Sequence, residues 1–534
     1  MQRKPRGQIF ITADAPSPTK GLNTRDPVAV MLPTYANIMN NMIAANDGVR
    51  NRKGCRVQAS GLGPTVGAVM PYNATGSGTS KLFAASGTQV FDVTTAGAVG
   101  AAVGSALTTD QLDYVQFAGA AGQYLVMCNG ADAARHYESA AGWVNWSLVT
   151  TPSTPGQVSG VDPSKLSGVI SHQRRLWFIE KNTTRVWYTP INSIGGALNQ
   201  FEFGPYLPRG GFIQAIGSWS MDAGKGIQNY LVAVSNQGDA VLYEGSDVSD
   251  ATNWKLTGTW ALSPPVGRDC FTQYGADLLY LCTDGLLPFS TYLQSTLTTS
   301  ALTDAIRRTI QLSVSTTGTL PGWSLTDTGN VEGLLVLNVP ANDPSQTVQA
   351  VQHKQSGGWS TFTGWPAQCW AVQGKNIYFG KNGYVMQAFV GYTDNQATDG
   401  TSGTTYTCTC SQAYNYFADA LRYANARTVN KQYKQVCLNI ISASVAPAIR
   451  IGLSTTPGLG GGISTSSTAP PTNGGSVFGV ARWGTGVFSG TQFPINQWQF
   501  VRGVGTSASL QVEIKTQAEF LWTDTLIRFA RSSI

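Results

Sequence analysis

The chain repeats one pattern at least six times: a short apolar strand, a tight polar turn that usually carries Gly or Asn, and a second short strand ending in an apolar or aromatic residue. The copies span residues 82–93, 124–137, 176–188, 230–243, 278–289 and 377–389, and a looser copy starts at Leu334. Alternating apolar residues on either side of such turns are typical of β-hairpins. The sequence therefore predicts a chain built mainly of antiparallel hairpins.

The spacing of the copies predicts how the hairpins are arranged. First residues of successive copies lie 42 to 56 residues apart, which suits one four-stranded sheet per period. Glycine is abundant, at 60 of 534 residues, and only 12% of residues are charged, as expected for short strands joined by turns. We predict an all-β protein in which residues 61–405 form a β-propeller of six or seven blades, with tryptophans near the hairpin ends packed between blades.

Two regions flank the repeats. Residues 1–60 are basic and rich in proline, and apolar residues at helical spacing after Thr34 predict one short amphipathic helix in this N-terminal arm. Residues 406–534 contain several further apolar strands and predict a C-terminal β-sandwich-like domain. Within it, the Gly/Ser/Thr-rich residues 455–476 predict a long loop. A second helix is predicted at residues 301–310, with Thr303 as its N-cap.

Charge is distributed unevenly along the chain. Residues 1–56 contain nine Lys or Arg and three Asp, whereas residues 57–534 contain 26 basic and 26 acidic residues. Proteins that hold nucleic acid neutralise phosphates with clustered Lys and Arg, and the neutral body lacks that excess. Contact with double-stranded DNA is therefore expected to be transient and non-specific. The candidate interaction residues are the charged residues of the arm: Arg3, Lys4, Arg6, Arg25, Asp26, Arg50, Arg52 and Lys53.

Residue types that hold metals or form disulfides do not occur in recognisable sets. The eight cysteines include no C-x-x-C pair, and the chain has three histidines. Structural zinc sites and disulfide frameworks need such sets, so we predict no cofactor and no metal. Cys408 and Cys410 are expected on one face of a strand, as buried thiols.

Catalytic patterns are equally sparse. A glycosidase needs paired carboxylates, and the best local candidates are Asp239, Glu244, Asp247 and Asp250, whose spacing favours a solvated loop. The histidines lie in unrelated segments without a G-x-S-x-G serine motif. The Gly-rich residues 458–462 lack the βαβ unit that a phosphate-binding loop needs. We predict that the chain is not an enzyme.

The sequence also predicts where the protein is made. Its first residues, MQRKPRGQIFITADAP, are basic but contain no apolar segment of the kind found in signal peptides. No later apolar run is long enough to span a bilayer. We expect folding in a cytoplasm, without membrane insertion.

Five stretches, taken in order, resemble one family. Residues 21–54, GLNTRDPVAVMLPTYANIMNNMIAANDGVRNRKG, contain a G-L-N-x-R-D-P run and a later G-V-x-x-R-x-G turn. Residues 160–201, 209–245, 265–270 and 277–290 are also similar in order and spacing. Together they resemble the tail nozzle, or hub, proteins of short-tailed bacteriophages (podoviruses). The chain departs from the family pattern after Phe417, where Ala418-Asp419-Ala420 replaces a Gly-containing turn.

The resemblance implies a structural virion protein of the tail, assembled in the host cytoplasm. Such proteins form a homohexameric ring below an adaptor and the portal, surround a channel for genome ejection, and carry fibres or spikes. In such a ring the uncharged loop at residues 455–476 would narrow the channel mouth. Its candidate channel residues are Gly458, Gly460, Gly461, Gly462, Gly474 and Gly475.

Two other interpretations stay open. A virion-bound carbohydrate-binding or carbohydrate-cleaving propeller predicts acidic and aromatic side chains that converge in one funnel. A bacterial propeller scaffold unrelated to phage is equally compatible with the neutral body. The mass of the purified protein, or its position in images of a virion, separates the three interpretations.

Overall fold

The structure is a computed structural model that describes residues 9–76, 78–120, 122–222, 227–250, 252–293, 301–421, 427–443, 447–455 and 493–531. Strands make up 52% of the chain and helices 7%, which confirms the all-β prediction. The six candidate channel glycines and almost all of the predicted loop at residues 455–476 lie outside the described residues.

Strands occur throughout the described chain. The N-terminal strands are β1 (Phe10–Pro16), β2 (Gly21–Leu22), β3 (Tyr35–Asn40), β4 (Met42–Ala45), β5 (Gly48–Asn51) and β6 (Cys55–Ser60). The next strands are β7 (Ala68–Tyr72), β8 (Lys81–Ser86), β9 (Gln89–Asp92), β10 (Gly97–Ala98), β11 (Asp113–Gly119), β12 (Gly122–Cys128), β13 (Arg135–Glu138), β14 (Gly142–Asn145), β15 (Ser147–Leu148), β16 (Gln157–Ser159), β17 (Leu166–His172), β18 (Arg175–Glu180), β19 (Arg185–Tyr188), β20 (Gly196–Ala197) and β21 (Asn199–Glu202).

Twenty further strands lie between residue 213 and the end of the described chain. These strands are β22 (Ile213–Asp222), β23 (Ile227–Ser235), β24 (Asp239–Glu244), β25 (Lys255–Ala261), β26 (Phe271–Tyr274), β27 (Asp277–Cys282), β28 (Gly285–Pro288), β29 (Ser324–Asp327), β30 (Leu334–Val339), β31 (Val348–His353), β32 (Trp359–Phe362), β33 (Cys369–Gln373), β34 (Asn376–Lys381), β35 (Tyr384–Ala388), β36 (Thr407–Gln412), β37 (Lys431–Ser442), β38 (Ala448–Ser454), β39 (Phe493–Gly505), β40 (Ser509–Lys515) and β41 (Phe520–Arg531). The described helices are α1 (Phe289–Leu293), α2 (Arg307–Thr317), α3 (Gly329–Glu332), α4 (Ala418–Leu421) and 3-10 turns at Pro163–Lys165, Gly204–Tyr206, Asp304–Ile306 and Pro344–Gln346.

The middle of the chain forms seven consecutive antiparallel sets of strands. Sets 1 to 6 are β7–β9, β11–β14, β17–β19 with β21, β22–β25, β26–β28 and β29–β32, and set 7 is β33–β35 completed by β6. Each predicted hairpin lies within one set, so the hairpin prediction is confirmed. The first strand of each set lies beside the first strand of the next, and β33 of set 7 lies beside β7 of set 1. The order of neighbours thus returns to the set in which it began.

Aromatic side chains fill the gaps between neighbouring sets, as predicted. The ring centres of Phe83 and Trp143 are 5.2 Å apart across sets 1 and 2. Trp177 of set 3 stacks on Trp254 beside set 4, with 5.7 Å between ring centres. Such pairs add to the stabilisation that burial of their large apolar surface already provides.

The N-terminal segment pairs with strands from distant parts of the chain. Strand β1 pairs with β41 near the other end of the chain, and β6 pairs with β35 to complete set 7. Strand β3 pairs with β36, which in turn pairs with β40. Strands of the predicted arm and of the predicted C-terminal domain therefore share sheets, and the predicted boundaries at residues 60 and 405 do not separate them.

The predicted helix after Thr34 is wrong, because this stretch forms β3, β4 and β5. Asn41 has φ of 58°, a left-handed conformation that interrupts any helix and turns the chain between β3 and β4. Met39 and Met42 are buried while Ile38 is 46% exposed. Apolar residues three and four apart fit this bent strand pair as well as a helix, and pairing with β36 decides between them.

The second predicted helix is confirmed with shifted bounds. It begins as the 3-10 turn Asp304–Ile306 and continues as α2, with Ile306 and Ile310 both buried. Thr303 does not cap it through its side chain; instead its hydroxyl oxygen accepts the backbone N–H of Leu286 at 3.1 Å. Cys408 and Cys410 are buried on β36 as predicted, and all eight cysteines are free thiols.

Candidate functional site

The first part of the family-like segment forms a turn organised by Asn23. Its side-chain oxygen accepts the backbone N–H groups of Arg25 and Asp26, both at 3.0 Å, and its Nδ2 donates to Asp26 at 2.8 Å. Arg25 donates to Asp26 and to Asp304. The hydrogen bonds that Asp26 accepts from Arg25 and Asn23 hold its pKa below its usual range. The backbone N–H of Thr24 reaches the carbonyl of Ala305 at 2.8 Å. The turn thus docks against the helical insertion.

Arg52 is the most deeply buried of the candidate interaction residues. Its side chain is fully buried, and it forms two hydrogen bonds with Asp394, of 2.8 and 2.6 Å. The guanidinium lies between two rings, 4.3 Å from the ring centre of Trp365 and 4.0 Å from that of Tyr406. Trp365 also donates to Asp394 at 2.8 Å. Arg52 therefore stabilises the fold and is not available to a partner.

The remaining hydrogen bonds of Arg52 join separate parts of the chain. Its Nε donates to Asn41 at 2.9 Å, and its Nη atoms donate to the carbonyls of Lys53 and Thr363 at 2.9 and 3.1 Å. Gly54 lies next to this cluster, where an added Cβ would overlap the backbone of Thr393. The R-x-G part of the family-like turn thus has a structural explanation. Arg52 forms a bidentate ion pair with Asp394, and Gly54, two residues later, leaves room for the backbone of Thr393.

The other basic candidates that the structure describes differ in exposure but are also paired within the chain. Arg50 pairs with Asp47, and both side chains are about half exposed, at 42% and 52%. Lys53 donates to Glu332 at 2.8 Å. Arg3, Lys4 and Arg6 lie outside the described residues. Whether any of these residues contacts a partner stays a prediction.

A polar cavity lies between sets 2 to 6. Its volume is about 380 Å³, and sets 2 to 6 contribute residues such as Asp113, Ser167, Gln214, Asp269 and Trp323. A second cavity of about 190 Å³ shares residues 320–322 with the first and is also lined from sets 1 and 7. Part of the lining comes from the starts of first strands and the loops before them, and part from the ends of second strands and the turns that follow. The two cavities adjoin each other and together are lined from all seven sets.

Two carboxylates and two cations line the larger cavity. Asp113 accepts the backbone N–H groups of Val169 and Tyr114, both at 2.9 Å. Lys181 donates to the carbonyl of Gly130 at 2.9 Å. Neither Arg268 nor Asp269 forms a hydrogen bond to the part of the chain that the structure describes. Sequence reasoning missed this site, because residues 265–270 contributed only to the resemblance.

The electrostatics of the cavity follow from its enclosed position. Burial, and then the charge of Asp269, raise the pKa of Asp113 to about 6, while Arg268 and the backbone N–H of Val169 oppose that shift. Burial also raises the pKa of Asp269, against the influence of Arg268. The Asp269 side chain is open to the cavity space, but the surrounding protein limits its solvation.

The candidate catalytic residues do not come together in one site. Asp239 is buried and accepts the backbone N–H of Arg209 at 2.8 Å, whereas Asp247 and Asp250 bind their own turns. Burial lowers the pKa of His136 and of His172 to about 4. Among the described residues no group of three or more His, Cys, Asp or Glu is placed to hold a metal. Every described helix is too short or too polar to cross a membrane.

Comparisons with known proteins give distant likenesses only. No protein-family profile and no curated protein sequence matches the chain. A solved extracellular domain of a two-component system from Bacteroides thetaiotaomicron is 11% identical with a TM-score of 0.40, over 63% of this chain and 41% of that one. The designed Ika8 protein is 10% identical with a TM-score of 0.36, over 62% and 99%. An exo-β-1,3-galactanase from Phanerochaete chrysosporium is 9% identical with a TM-score of 0.23, over 77% and 98%.

Proposed function

We propose that this chain is a structural virion protein that forms the distal nozzle, or hub, ring of a short phage tail. As a homohexamer it would conduct the genome during ejection, dock onto an adaptor and carry fibres or spikes. The resemblance in residues 21–54 supports this proposal, because the motif residues make specific contacts. Asn23, Arg25 and Asp26 organise one junction, while Arg52 and Gly54 form another.

We also propose that the seven sets are the blades of a β-propeller and that the two C-terminal sheets form a sandwich-like domain. One of these sheets contains β1, β4, β5, β37, β39 and β41, and the other contains β2, β3, β36, β38 and β40 and continues from set 6. The cycle of neighbouring first strands supports the first part. A second support is the completion of set 7 by β6, because pairing of the two ends of a propeller region keeps the ring together. Core residues of both C-terminal sheets lie in one cluster, which supports the second part.

The observation that carries the proposed function is the absence of a surplus of basic charge in residues 57–534. Residues 57–534 have equal numbers of acidic and basic residues. In the described part of the N-terminal segment, Arg25, Arg50, Arg52 and Lys53 all pair with acidic residues. DNA affinity grows with the number of phosphates that a protein neutralises. A wall past which DNA must move should lack such affinity.

Locating the protein in particles tests this proposal. The full chain with a short C-terminal tag would replace the untagged protein in a producing phage, and labelled virions would be imaged. We expect the label at the distal end of the tail, and purified rings of six times the protomer mass of 56.7 kDa. Virions without label, together with a monomer both alone and with the adaptor, would overturn the proposal.

A second candidate function is a virion-bound carbohydrate-binding protein, favoured by the polar cavity with its carboxylates and Arg268. Carbohydrate cleavage receives less support. A hydrolase needs a pair of carboxyl groups that act on the scissile bond, whereas one member of the pair in this cavity, Asp113, is held by two backbone N–H groups. A propeller scaffold unrelated to phage is distinguished from both candidates by the imaging experiment.

A further inference from the structure

The larger cavity has the position and size of a ligand site. Its volume of about 380 Å³ lies within the range of about 300 to 1,000 Å³ that small-molecule sites occupy. Its lining comes from five sets, so the relative positions of its residues depend on how those sets pack together and not on one loop. A ligand there would contact residues that are far apart in the sequence.

Polar groups of the lining retain unused hydrogen-bonding capacity. Asp269 offers a carboxylate and Arg268 a guanidinium, and within the described chain neither has a hydrogen-bond partner. The same holds for the side-chain amides of Gln111 and Gln214, which also line the cavity. These four residues supply acceptors and donors in one space. Asp113 and Lys181 add charge, but their bonds to the backbone already orient them.

The charge of the lining excludes several classes of ligand. The two cations that could attract a phosphate group lie beside two carboxylates, so phosphate, and hence nucleic acid, gains no net attraction. The two cations balance the two carboxylates, so a metal ion gains no net attraction. An apolar ligand would cover these carboxylates and amides and leave them without partners, which is costly. A neutral molecule with several hydroxyl groups meets none of these objections, because each hydroxyl both donates and accepts.

We propose that this cavity binds a neutral saccharide of one or two sugar units. Asp269 accepts hydrogen bonds from sugar hydroxyls, Arg268 donates to hydroxyl or ring oxygens, and the amides of Gln111 and Gln214 select orientation. Asp113 contributes at the inner end of the site. The inference deepens and rests on the second candidate function but not on the tail proposal, since the purified chain can bind sugar whether or not it forms part of a virion.

Binding to the purified full-length protein tests the inference. Glucose, galactose, N-acetylglucosamine, maltose and lactose would be screened by saturation-transfer NMR, and the best of them titrated by calorimetry. We expect at least one to bind with a dissociation constant below about 10 mM, a weak affinity that polar sites for small ligands commonly reach. Arg268→Ala and Asp269→Asn should each weaken binding at least tenfold, with unchanged melting temperatures.

Matched variants outside the cavity provide the control. Asp14 lies exposed on β1 and Arg307 has a half-exposed side chain on α2, so Asp14→Asn and Arg307→Ala should bind as the wild type does. Binding of no saccharide in the panel would overturn the inference, and so would equal binding by all four variants. Glucuronate should bind more weakly than glucose; equal or tighter binding would overturn the assignment of a neutral ligand.

Discussion

The seven sets and the two C-terminal sheets, called the terminal sheets below, are both built of β-strands but differ in how those strands pair. Within sets 1 to 6, every pairing joins strands that follow one another closely in the sequence, as β17, β18 and β19 do. In the terminal sheets, β1 pairs with β41 and β3 with β36, across several hundred residues. Local hairpins can form independently, whereas the terminal sheets require both ends of the chain. The two regions should therefore respond differently to changes in the N-terminal segment.

The largest effect is expected from removing β1. Replacing residues 1–16 by a single Met deletes the strand that pairs with residues 524–530. It also removes Ala13 and Ala15 from the core and exposes the residues that they cover. We expect the amides of β41 to lose protection against hydrogen exchange while those of β18 keep it. Removing residues 2–8 alone is the matched control and should leave both unchanged. Loss of protection in β18 as well would show that the regions are not separable.

Removing the buried cation should have the next largest effect. Arg52→Ala leaves Asp394 buried without its partner, which costs about 3 to 5 kcal/mol in comparable buried pairs. Urea unfolding followed by tryptophan fluorescence measures the loss, because Trp365 lies on the guanidinium. Lys53→Ala, which breaks the more exposed pair with Glu332, should cost at most about 1 kcal/mol. Equal losses in the two variants would contradict the structural role of Arg52.

The locally built sets should respond to acid through His172. Burial lowers its pKa to about 4, whereas an unfolded histidine titrates near 6.5. As the pH falls from about 6.5 to 4, the unfolded state takes up a proton that the folded state does not, so stability falls by up to about 3 kcal/mol. His172→Asn should reduce this loss, measured by urea unfolding at each pH.

Asp113 should show the opposite trend and so provides the comparison. Its pKa is raised to about 6, so the folded state holds a proton that the unfolded state has lost between about pH 4 and 6. This residue therefore adds stability as the pH falls. Asp113→Asn should steepen the loss of stability in acid, while His172→Asn should flatten it. Identical pH dependence in both variants and the wild type would rule out both assignments.

The smallest of the expected effects concerns close backbone approach. An added Cβ at Gly54 would overlap the backbone of Thr393, which must then shift. We expect Gly54→Ala to lower the free energy of unfolding by about 1 to 3 kcal/mol, as overpacking does. Gly100→Ala is the control, because Gly100 has nothing within 4 Å of an added Cβ. A neutral Gly54→Ala would mean that the junction is looser than the structure indicates.

The difference between local and long-range strand pairing also explains which parts of the structure could be predicted from the sequence. Hairpins such as β23 with β24 were predictable because their apolar alternation and turn residues lie within one short stretch. The sequence predicts a helix in place of β3 and β4 for two reasons. The partner of β3, β36, lies far away in the sequence, and apolar residues three and four apart conceal the short hairpin of β4 with β5. Arg52 was read as an interaction residue from its charge alone, since its partner Asp394 is 342 residues away. The cavity was missed for the same reason: Asp113 and Asp269 meet only when the sets assemble.

The pairing of β6 with β35 has a consequence for the order of events during synthesis. Residues 55–60 leave the ribosome long before residues 384–388 exist. At about 5 to 20 residues per second, the first strand waits on the order of 15 to 65 seconds for its partner. Throughout that interval its backbone N–H and C=O groups are open to other nascent chains. Demand for a holding chaperone should therefore be greatest for chains stalled before residue 384, and should end abruptly once residue 388 has emerged.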